Sequence, residues 1–318
     1  MRRILITGGA GFIGLNLAKE YANERYVIDI IDDFSRGKQD EELHKVLRLK
    51  NVNLIKKDIE KRINLKNNYE FIFHLAAIVG VENVIKNPLE TFKKNMNILY
   101  QVLDFAKKQK KLKRFIFFST SEVYAGSYKN YKIKIPTKES IPLTLSDLSF
   151  NRTSYMLSKI SGEYICKMSN IPFTIFRPHN IYGPRMGYNH VIPETIQKIS
   201  NLKRKNSINV YSFNHKRSFC YITDAIYMIK EIIKNNKTIN KTFNLGNEKP
   251  EITILDLVKK LINISGINVK IKKLSPTEGS PERRAPNMSK TFSFIKKKNN
   301  VCLEEGLLKT FSWYKNNL

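Results

Sequence analysis

A tyrosine and a lysine stand four residues apart, at Tyr155 and Lys159, in a segment whose apolar spacing predicts a helix over 153–169. At this spacing the two side chains share one helix face. A lysine ammonium beside a phenol lowers the phenol pKa, so the tyrosine could act as a general base near neutral pH. A second pair at the same spacing, Tyr128 and Lys132, lies in a polar segment, so the helical context favours the first pair.

Hydroxyl and carboxylate side chains, Ser119–Glu122, follow an apolar run at 114–119 that predicts a buried strand. A hydroxyl at the end of a strand can hydrogen-bond a substrate oxygen that Tyr155 deprotonates. Glu122 is a candidate acid or base for a second step. The alternative is that these hydroxyl residues only form a turn or a capping cluster.

Three glycines, Gly8, Gly11 and Gly14, lie between an apolar run and an amphipathic helical pattern. Their spacing permits a tight turn and close approach of a pyrophosphate to the free N–H groups of the helix N-terminus. The next predicted strand, 26–32, ends in Asp32, where a carboxylate can accept both ribose hydroxyls of adenosine. Because a carboxylate would repel a 2′-phosphate, the pattern predicts NAD rather than NADP. The alternative is a glycine turn in an unrelated α/β protein.

The elements that must position these residues alternate between strand and helix patterns, which is typical of an α/β fold with a Rossmann-type doubly wound parallel sheet. Ligands bind at the carboxyl ends of such strands, where the residues above fall. We expect an NAD-binding domain over 1–178 and a smaller C-terminal α/β substrate domain over 179–318, with some segments crossing back. The predicted strands are 3–7, 26–32, 52–57, 71–75, 114–119, 172–177, 208–213, 242–245 and 268–273, and the predicted helices are 12–24, 89–109, 153–169, 192–203, 223–235, 253–264 and 305–316.

The composition limits the kind of protein this can be. The net charge is +28, but only 14 of the 56 basic residues are Arg, and no nucleic-acid-binding motif is present. We therefore expect no nucleic-acid partner and assign the charge to solubility and to steering of anions. No apolar run approaches 18 residues, which predicts no membrane span.

Three cysteines, Cys166, Cys220 and Cys302, show neither paired spacing nor a metal-ligand pattern. Cys166 and Cys220 lie in apolar stretches and are expected to be core thiols. This usage predicts a reducing, cytoplasmic environment and no metal site.

Taken together, the motifs resemble the extended short-chain dehydrogenase/reductases that act on nucleotide sugars. The resemblance covers nearly the whole chain. It rests on Thr7–Gly14, Asp32, Asp58-Ile59, His74–Ala77, Asn95, Ser119–Tyr124, Tyr155 with Lys159, Arg177–Arg185, Arg217–Asp224, Asn244–Asn247 and Arg284–Pro286.

The resemblance implies roles for individual residues. Tyr155 would take the proton of the sugar 4-hydroxyl, Thr120 would share that proton, and Lys159 would hold the nicotinamide ribose. The implied NAD-binding residues are Gly8, Gly11, Phe12, Ile13, Gly14, Asp32, Asp58, Ile59, Leu75, Ala76, Ala77, Asn95, Tyr155 and Lys159. The implied substrate-binding residues are Ser121, Asn180, Arg185, Arg217 and Arg284. A homodimer through a four-helix bundle of helices 89–109 and 153–169 is also implied.

The leading subtype is a UDP-glucuronate decarboxylase, which the segments Ser119–Glu122, Arg217–Tyr221 and Arg284–Pro286 resemble. Decarboxylation of a β-keto acid needs only C4 oxidation and a cation to orient the carboxylate, and Arg284 is a candidate for that cation. The 35-residue gap from Thr120 to Tyr155 and the triplet Gly279–Pro281 depart from that pattern.

The alternatives are a 4-epimerase, a 4,6-dehydratase or a net 4-dehydrogenase acting on a UDP- or GDP-hexose or heptose. The resemblance implies that any of these activities, the leading one included, would serve the synthesis of surface or capsular polysaccharide sugars. Dehydratases usually carry an Asp where this chain has Ser121. A non-catalytic NAD-binding regulatory protein is the alternative from another class.

Overall fold

The computed structural model describes residues 2–202, 207–276, 281–298 and 300–317. Gly279, Ser280 and the predicted helix end at residue 203 lie outside these residues. The strands are β1 (Arg3–Thr7), β2 (Val27–Asp32), β3 (Val52–Lys56), β4 (Phe71–His74), β5 (Arg114–Phe118), β6 (Phe173–Pro178), β7 (Ile181–Tyr182), β8 (Ser207–Val210), β9 (Lys216–Ser218), β10 (Cys220–Tyr221), β11 (Lys241–Leu245), β12 (Glu251–Thr253), β13 (Lys270–Lys273) and β14 (Arg283–Arg284). The helices are α1 (Phe12–Ala22), α2 (Glu41–Leu47), α3 (Val81–Lys86), α4 (Pro88–Lys107), α5 (Ala125–Asn130), α6 (Thr153–Met168), α7 (Val191–Ser200), α8 (Ile222–Lys234), α9 (Ile254–Ser265), α10 (Ser289–Phe292) and α11 (Leu303–Lys315).

The main sheet has seven parallel strands in the order β11-β6-β5-β4-β1-β2-β3. This confirms the predicted doubly wound α/β fold. Strand order reverses between β1 and β4, and a crevice opens beyond their carboxyl ends at such a reversal. Thr7 and His74 are paired at that edge, and their side chains are joined by a hydrogen bond of 2.9 Å. The segments after β1 and β4 therefore begin side by side.

The sheet is buried on both faces around its centre, since every residue of β2, β4 and β5 is buried and most of them are apolar. On one face, α4 and α6 cover the sheet, with Leu99, Leu103 and Cys166 packed near Phe117. Gly162 lets α6 approach closely, since a Cβ there would lie 2.5 Å from the Phe117 ring. This packing fixes the height of α6 above the end of β5.

The C-terminal part contains small sheets with the orders β12-β9-β14, β13-β8 and β10-β7. The seventh strand of the main sheet, β11, comes from beyond the division predicted at residue 178, so the two predicted domains share this sheet. The strands of the small sheets are two to four residues long. This is too short to show the alternation of apolar and polar residues by which a strand is recognised in a sequence. The helix α5 lies in the polar segment around Tyr128, where no helix was predicted.

Cys166 and Cys220 are buried, which confirms the prediction of core thiols, while Cys302 is exposed. Over the described ranges, no helix is long and apolar enough to cross a membrane.

Candidate active site

Two clefts meet beyond the carboxyl edge of the main sheet. The glycine-loop cleft has a volume of about 600 Å³, and the tyrosine cleft has a volume of about 680 Å³. The first is lined by Gly8, Gly11, Phe12, Ile13, Gly14, Asp32, Asp58, Ile59, Leu75, Ala76 and Ala77. The second is lined by Thr120, Ser121, Glu122, Tyr155, Lys159, Asn180, Arg217 and Arg284. Their shared wall includes Phe12, Ile13, Arg36, Leu75, Val79 and His190.

The glycine loop is packed so closely that side chains would not fit. Gly8 has a φ of +69°, and a Cβ there would lie 2.8 Å from the backbone nitrogen of Ala76. A Cβ on Gly14 would lie 2.6 Å from the Gly8 carbonyl oxygen. Among the described residues, no side chain caps the N-terminus of α1, so its first N–H groups can meet an anion in the cleft.

Asp32 lies at the end of β2, in the wall of the glycine-loop cleft. Its carboxylate accepts hydrogen bonds from the backbone nitrogens of Ala10, at 3.0 Å, and Phe34, at 2.9 Å. Burial raises the pKa of Asp32, although both hydrogen bonds oppose this shift. A carboxylate has about four acceptor positions, so two remain for a pair of ribose hydroxyls. The glycine cradle and this carboxylate together fit an adenine dinucleotide.

Asn95 does not line either cleft. Its side chain accepts a hydrogen bond from the backbone nitrogen of Ile78, at 2.7 Å, and donates to the Ile78 carbonyl oxygen, at 3.2 Å. It therefore holds the segment that follows β4, and its predicted role in cofactor binding becomes an indirect one.

Arg185 lies in the glycine-loop cleft and not in the tyrosine cleft, where a substrate-binding residue was expected. Its guanidinium forms an ion pair with Asp40, at 2.8 Å. It also donates to the carbonyl oxygens of Ala10, at 2.8 Å, and Lys38, at 2.9 Å. These acceptors hold Arg185 against the glycine loop, so the structure corrects its predicted place.

Tyr155 and Lys159 lie on α6, next to the end of β5. Burial raises the pKa of Tyr155 to about 12, and the charge of Glu122 adds to this effect. A hydrogen bond with Thr120 and the charge of Arg36 act in the opposite direction. Lys159 donates to the Phe118 carbonyl oxygen, at 2.9 Å, and its Nζ lies 5.9 Å from the centre of the Tyr155 ring.

The pKa of Tyr155 is raised here and not lowered as predicted, because burial disfavours the phenolate. Burial also lowers the pKa of Lys159 to about 8, so this lysine is still mostly protonated at pH 7.

Glu122 lies between two arginines. One oxygen accepts from Arg284 at 2.6 Å, and the other accepts from Arg152 at 3.0 Å. Burial alone would raise the pKa of Glu122, but the two guanidiniums lower it to about 2. At neutral pH this carboxyl holds no proton to donate and is a very weak base, so the predicted acid or base role does not fit the arrangement.

Further polar groups extend the same cleft. Asn180 donates to the Ser218 carbonyl oxygen at 2.9 Å and accepts from Arg284 at 3.4 Å. Arg217 donates to the carbonyl oxygen of Pro281 at 2.7 Å. Burial and the nearby Arg284 lower the pKa of Arg217 to about 9. The cleft beside Tyr155 is therefore strongly cationic.

Sequence reasoning missed two arginines of this site. Arg152 precedes Tyr155 by three residues, a helical spacing that could have placed it beside the tyrosine. Arg36 lies in a polar loop after Asp32, and no pattern marked it. Over the described part of the chain, no group of three or more His, Cys, Asp or Glu residues could hold a metal ion.

Comparison with known proteins gives consistent matches along the chain. Residues 4–246 match the NAD dependent epimerase/dehydratase family. A UDP-N-acetyl-alpha-D-glucosaminuronate decarboxylase from Bacillus cytotoxicus is 30% identical, over 99% of this chain and 98% of that protein. A dTDP-D-glucose 4,6-dehydratase from Dictyostelium discoideum is 29% identical, over 100% of this chain and 82% of that protein.

Among solved structures, the UDP-glucuronic acid 4-epimerase from Bacillus cereus, in complex with UDP-glucuronic acid and NAD, is similar with a TM-score of 0.84. The two chains are 26% identical, and the match covers 99% of this chain and 100% of that one. These three proteins are named for three different net reactions on nucleotide sugars.

Proposed function

Because the chain belongs to the NAD dependent epimerase/dehydratase family, we propose that it oxidises C4 of a nucleotide sugar that carries a carboxylate, and then decarboxylates it. UDP-glucuronate represents this substrate class. The observation that carries the proposal is the pair of guanidiniums, Arg152 and Arg284, that converge on one carboxylate beside Tyr155.

The arginine pair indicates what this part of the cleft is built to hold. Arg152 and Arg284 each donate to a different oxygen of Glu122, and both face the tyrosine cleft. Charge-assisted bonds to a carboxylate are the interaction for which the planar guanidinium is best suited. Glu122 supplies one negative charge against two guanidiniums, so a uronic acid entering the cleft would meet the remaining positive charge and the remaining N–H donors of both arginines.

The reaction begins at Tyr155, which takes the proton of the C4 hydroxyl, with Thr120 hydrogen-bonded to the same oxygen. NAD, when bound, supplies the acceptor for the hydride that leaves C4. Oxidation at C4 makes the uronic acid a β-keto acid, which can lose carbon dioxide. Tyr155 and Thr120 can then donate hydrogen bonds to the enolate oxygen that forms at C4. A proton from solvent at C5 would turn this enolate into the 4-keto pentose. Return of the hydride to C4, with Tyr155 giving its proton back to O4, would restore the C4 hydroxyl and leave no net NADH. Glu122 needs no proton of its own in this scheme, in agreement with its lowered pKa.

The glycine-loop cleft supports the NAD-binding part of the proposal. The free N–H groups at the start of α1 would hold the diphosphate, and Asp32 would accept the adenosine ribose hydroxyls. Asp58 and Ile59 line the same cleft and would flank the adenine. Lys159, which lies deep in the tyrosine cleft, would hold the nicotinamide ribose.

The experiment is a substrate panel. Purified protein is incubated with UDP-glucuronate, UDP-N-acetylglucosaminuronate, UDP-glucose and GDP-mannose, with and without NAD, and product mass and NADH absorbance are measured. We expect loss of carbon dioxide from a UDP-uronate without net NADH. An epimer of unchanged mass would instead show a 4-epimerase, and accumulating NADH with a 4-keto product would show a net dehydrogenase.

The arginine pair gives the panel a structural control. Arg152→Gln and Arg284→Gln should each lower kcat/KM on the uronate by about 10- to 100-fold, because a charged hydrogen bond is lost. Arg283→Gln is the matched control, because this neighbouring arginine is exposed and pairs with Glu251 at 2.6 Å. Equal losses in all three variants would contradict the proposed carboxylate site.

We also propose that the chain forms a homodimer through α4 and α6. Both helices expose large apolar side chains at helical spacing: Leu89 is 78% exposed, Tyr100 50%, Tyr164 65% and Met168 59%. Such a stripe favours a protein partner, and pairing with its own copy would give a four-helix bundle.

The dimer is tested by the double variant Tyr164→Glu with Met168→Glu, which places charge in the apolar stripe. We expect this variant to be monomeric by light scattering at a concentration at which the parent protein is dimeric. Lys167→Glu, at an exposed position between them, should remain dimeric. A monomeric parent protein at micromolar concentration would rule out the dimer.

A further inference from the structure

A buried ion pair lies next to the tyrosine cleft, between α6 and β6. Nε of Arg177 donates to Oε1 of Glu163 at 2.8 Å, and Nη2 of Arg177 donates to Oε2 of Glu163 at 2.6 Å. Both side chains are only 3% exposed, and they are not among the described residues that line the two clefts. Any effect of this pair on the reaction must therefore pass through its neighbours.

Glu163 holds the end of β5 as well as Arg177. Oγ of Ser119 donates to Oε1 of Glu163 at 2.6 Å. One turn earlier on the same face of α6, Lys159 donates to the Phe118 carbonyl oxygen at 2.9 Å. Gly162 lets α6 come close enough to β5 for these bonds. Two successive turns of α6 are thus bonded to two successive residues at the end of β5.

The next residue of the chain, Thr120, shares the substrate oxygen with Tyr155 in the proposed reaction. Tyr155 lies one turn before Lys159 on α6 and is hydrogen-bonded to Thr120. The Thr120 side chain also accepts a hydrogen bond from the backbone nitrogen of Glu122 at 3.2 Å. The position of the phenol relative to this hydroxyl therefore depends on how α6 lies against the end of β5.

Arg177 bonds to the chain on the other side of Thr120. Its Nη1 donates to Oη of Tyr124 at 2.8 Å, in the turn that follows Thr120. Tyr124 in turn donates to Oδ1 of Asn244 on β11, at 2.8 Å. The ion pair is thus bonded to Ser119 just before Thr120 and to Tyr124 just after it.

The type of contact favours a role in geometry over one in stability. Taking two charges out of water offsets most of their attraction, so apolar residues of similar volume would fill this space at a similar free energy. The bonds between a guanidinium and a carboxylate are directional, however, and hold two parallel pairs of atoms in one plane. Glu163 is therefore held in one orientation, with an oxygen facing Ser119.

We propose that Glu163 is a positioning residue for the reaction at C4. Paired with Arg177, it holds Ser119 at the end of β5. Because Thr120 follows directly, its hydroxyl and the phenol of Tyr155 then converge on the same substrate oxygen. This inference rests on the proposed function, in which these two groups share the proton of the C4 hydroxyl.

The first test is Ser119→Ala, which removes the bond to Glu163 and leaves the ion pair intact. We expect kcat to fall about tenfold, because a small misplacement of reacting groups costs much of the rate. The KM for the nucleotide sugar and the Kd of NAD should stay within about twofold, because the lost hydroxyl is bonded to Glu163 and not to a ligand.

Tyr69→Phe is the matched control. The Tyr69 hydroxyl donates to the buried carboxylate of Asp29 at 2.7 Å, and Asp29 is paired with Arg3 at 2.9 Å. The control therefore deletes the same kind of bond at β2, away from Tyr155. An unchanged kcat in Ser119→Ala, or an equal fall in Tyr69→Phe, would overturn the proposal.

A double-mutant cycle determines whether the contact acts through Thr120. In the Thr120→Val background, Ser119→Ala should lower kcat by no more than about twofold, because the hydroxyl to be positioned is already absent. The same tenfold loss in both backgrounds would mean a merely structural role. Glu163→Gln weakens the contact from the other side and should show the same coupling. If this variant does not fold, Ser119→Ala decides the question.

A readout without substrate separates this inference from the proposed function. A fluorinated tyrosine is placed at residue 155, and its fluorine NMR shift is recorded in the NAD-loaded protein. Ser119→Ala should move this resonance in the same direction as Thr120→Val does, and Tyr69→Phe should leave it in place. An unmoved resonance in Ser119→Ala would overturn the positioning role. If Tyr155→Phe keeps full turnover, the proposed function fails, while the fluorine shift still decides whether Glu163 and Ser119 position residue 155.

Discussion

The two clefts are built in different ways. The shape of the glycine-loop cleft is set by the backbone, because its glycines let β1, α1 and the segment after β4 come into contact. Its carboxylate, Asp32, is held by hydrogen bonds from two backbone nitrogens. The tyrosine cleft owes its charge to side chains from distant positions: Arg152 and Arg284 bond to Glu122, and Arg217 lines the same cleft. A shape made by local backbone contacts is encoded in a short segment, whereas a charge pattern is assembled only by the folded chain.

The largest expected effect is in the tyrosine cleft. Tyr155→Phe should lower turnover by about 10²- to 10⁴-fold, the range for loss of a general base. NAD binding, measured by calorimetry, should stay close to that of the parent protein. Tyr128→Phe is the control from the other Tyr–Lys pair, because this phenol bonds Thr137 at 2.7 Å. Similar activity losses in both variants would mean that the wrong tyrosine was chosen.

The glycine-loop cleft should respond to a single methyl group. In Gly14→Ala the new Cβ would meet the Gly8 carbonyl oxygen at 2.6 Å, so the backbone of the loop must shift. We expect NAD affinity to fall about tenfold or more, the equivalent of about 1–3 kcal/mol of overpacking.

Gly266→Ala is the control for that experiment. Gly266 has a φ of +69°, but no atom of the described residues lies within 4 Å of the place that a Cβ would take, so this variant introduces backbone strain without contact. It should cost about 1 kcal/mol of stability and leave NAD affinity unchanged. Full NAD affinity in Gly14→Ala would show that the backbone of the loop can shift at little energetic cost despite its close packing.

A smaller effect should be shared by both clefts, because each has a buried histidine beneath it. Burial lowers the pKa of His74 and of His179 from 6.5 to about 3. Between those values the unfolded state binds more protons than the folded state, so the free energy of unfolding falls as pH falls through that window.

Urea unfolding at pH 7 and at pH 4.5 would measure this loss. His179→Gln should reduce the difference between the two pH values, and the exposed His44→Gln should keep it. An unchanged pH dependence in His179→Gln would mean that the base of the tyrosine cleft opens to solvent before the protein unfolds.

The sequence was a good guide wherever a signal was local. The six N-terminal strands of the main sheet, the glycine loop and the helix with Tyr155 and Lys159 all come from patterns within about 30 residues. The short strands β9, β10, β12 and β14 gave no pattern, because two or three residues cannot show alternation. Their pairing is fixed by contacts with distant segments.

The ion pairs of the site could not be predicted from the sequence for the same reason. The place of Arg185 depends on Asp40, 145 residues away, and the ionisation of Glu122 depends on Arg284, 162 residues away. Spacing put Lys159 on the correct face, but only the fold shows that a strand carbonyl competes with the phenol for its ammonium.

The late position of β11 in the sequence has a consequence for folding during translation. It pairs along β6, from Lys241 with Thr174 to Leu245 with Pro178, and closes one side of the main sheet. During translation β6 therefore emerges long before its neighbour and presents unpaired backbone groups, a template for unwanted association. A growing chain halted near residue 178 would contain most of the nucleotide-binding residues, but one edge of β6 would be unpaired. Nascent chains of this length should need protection by chaperones until β11 has left the ribosome.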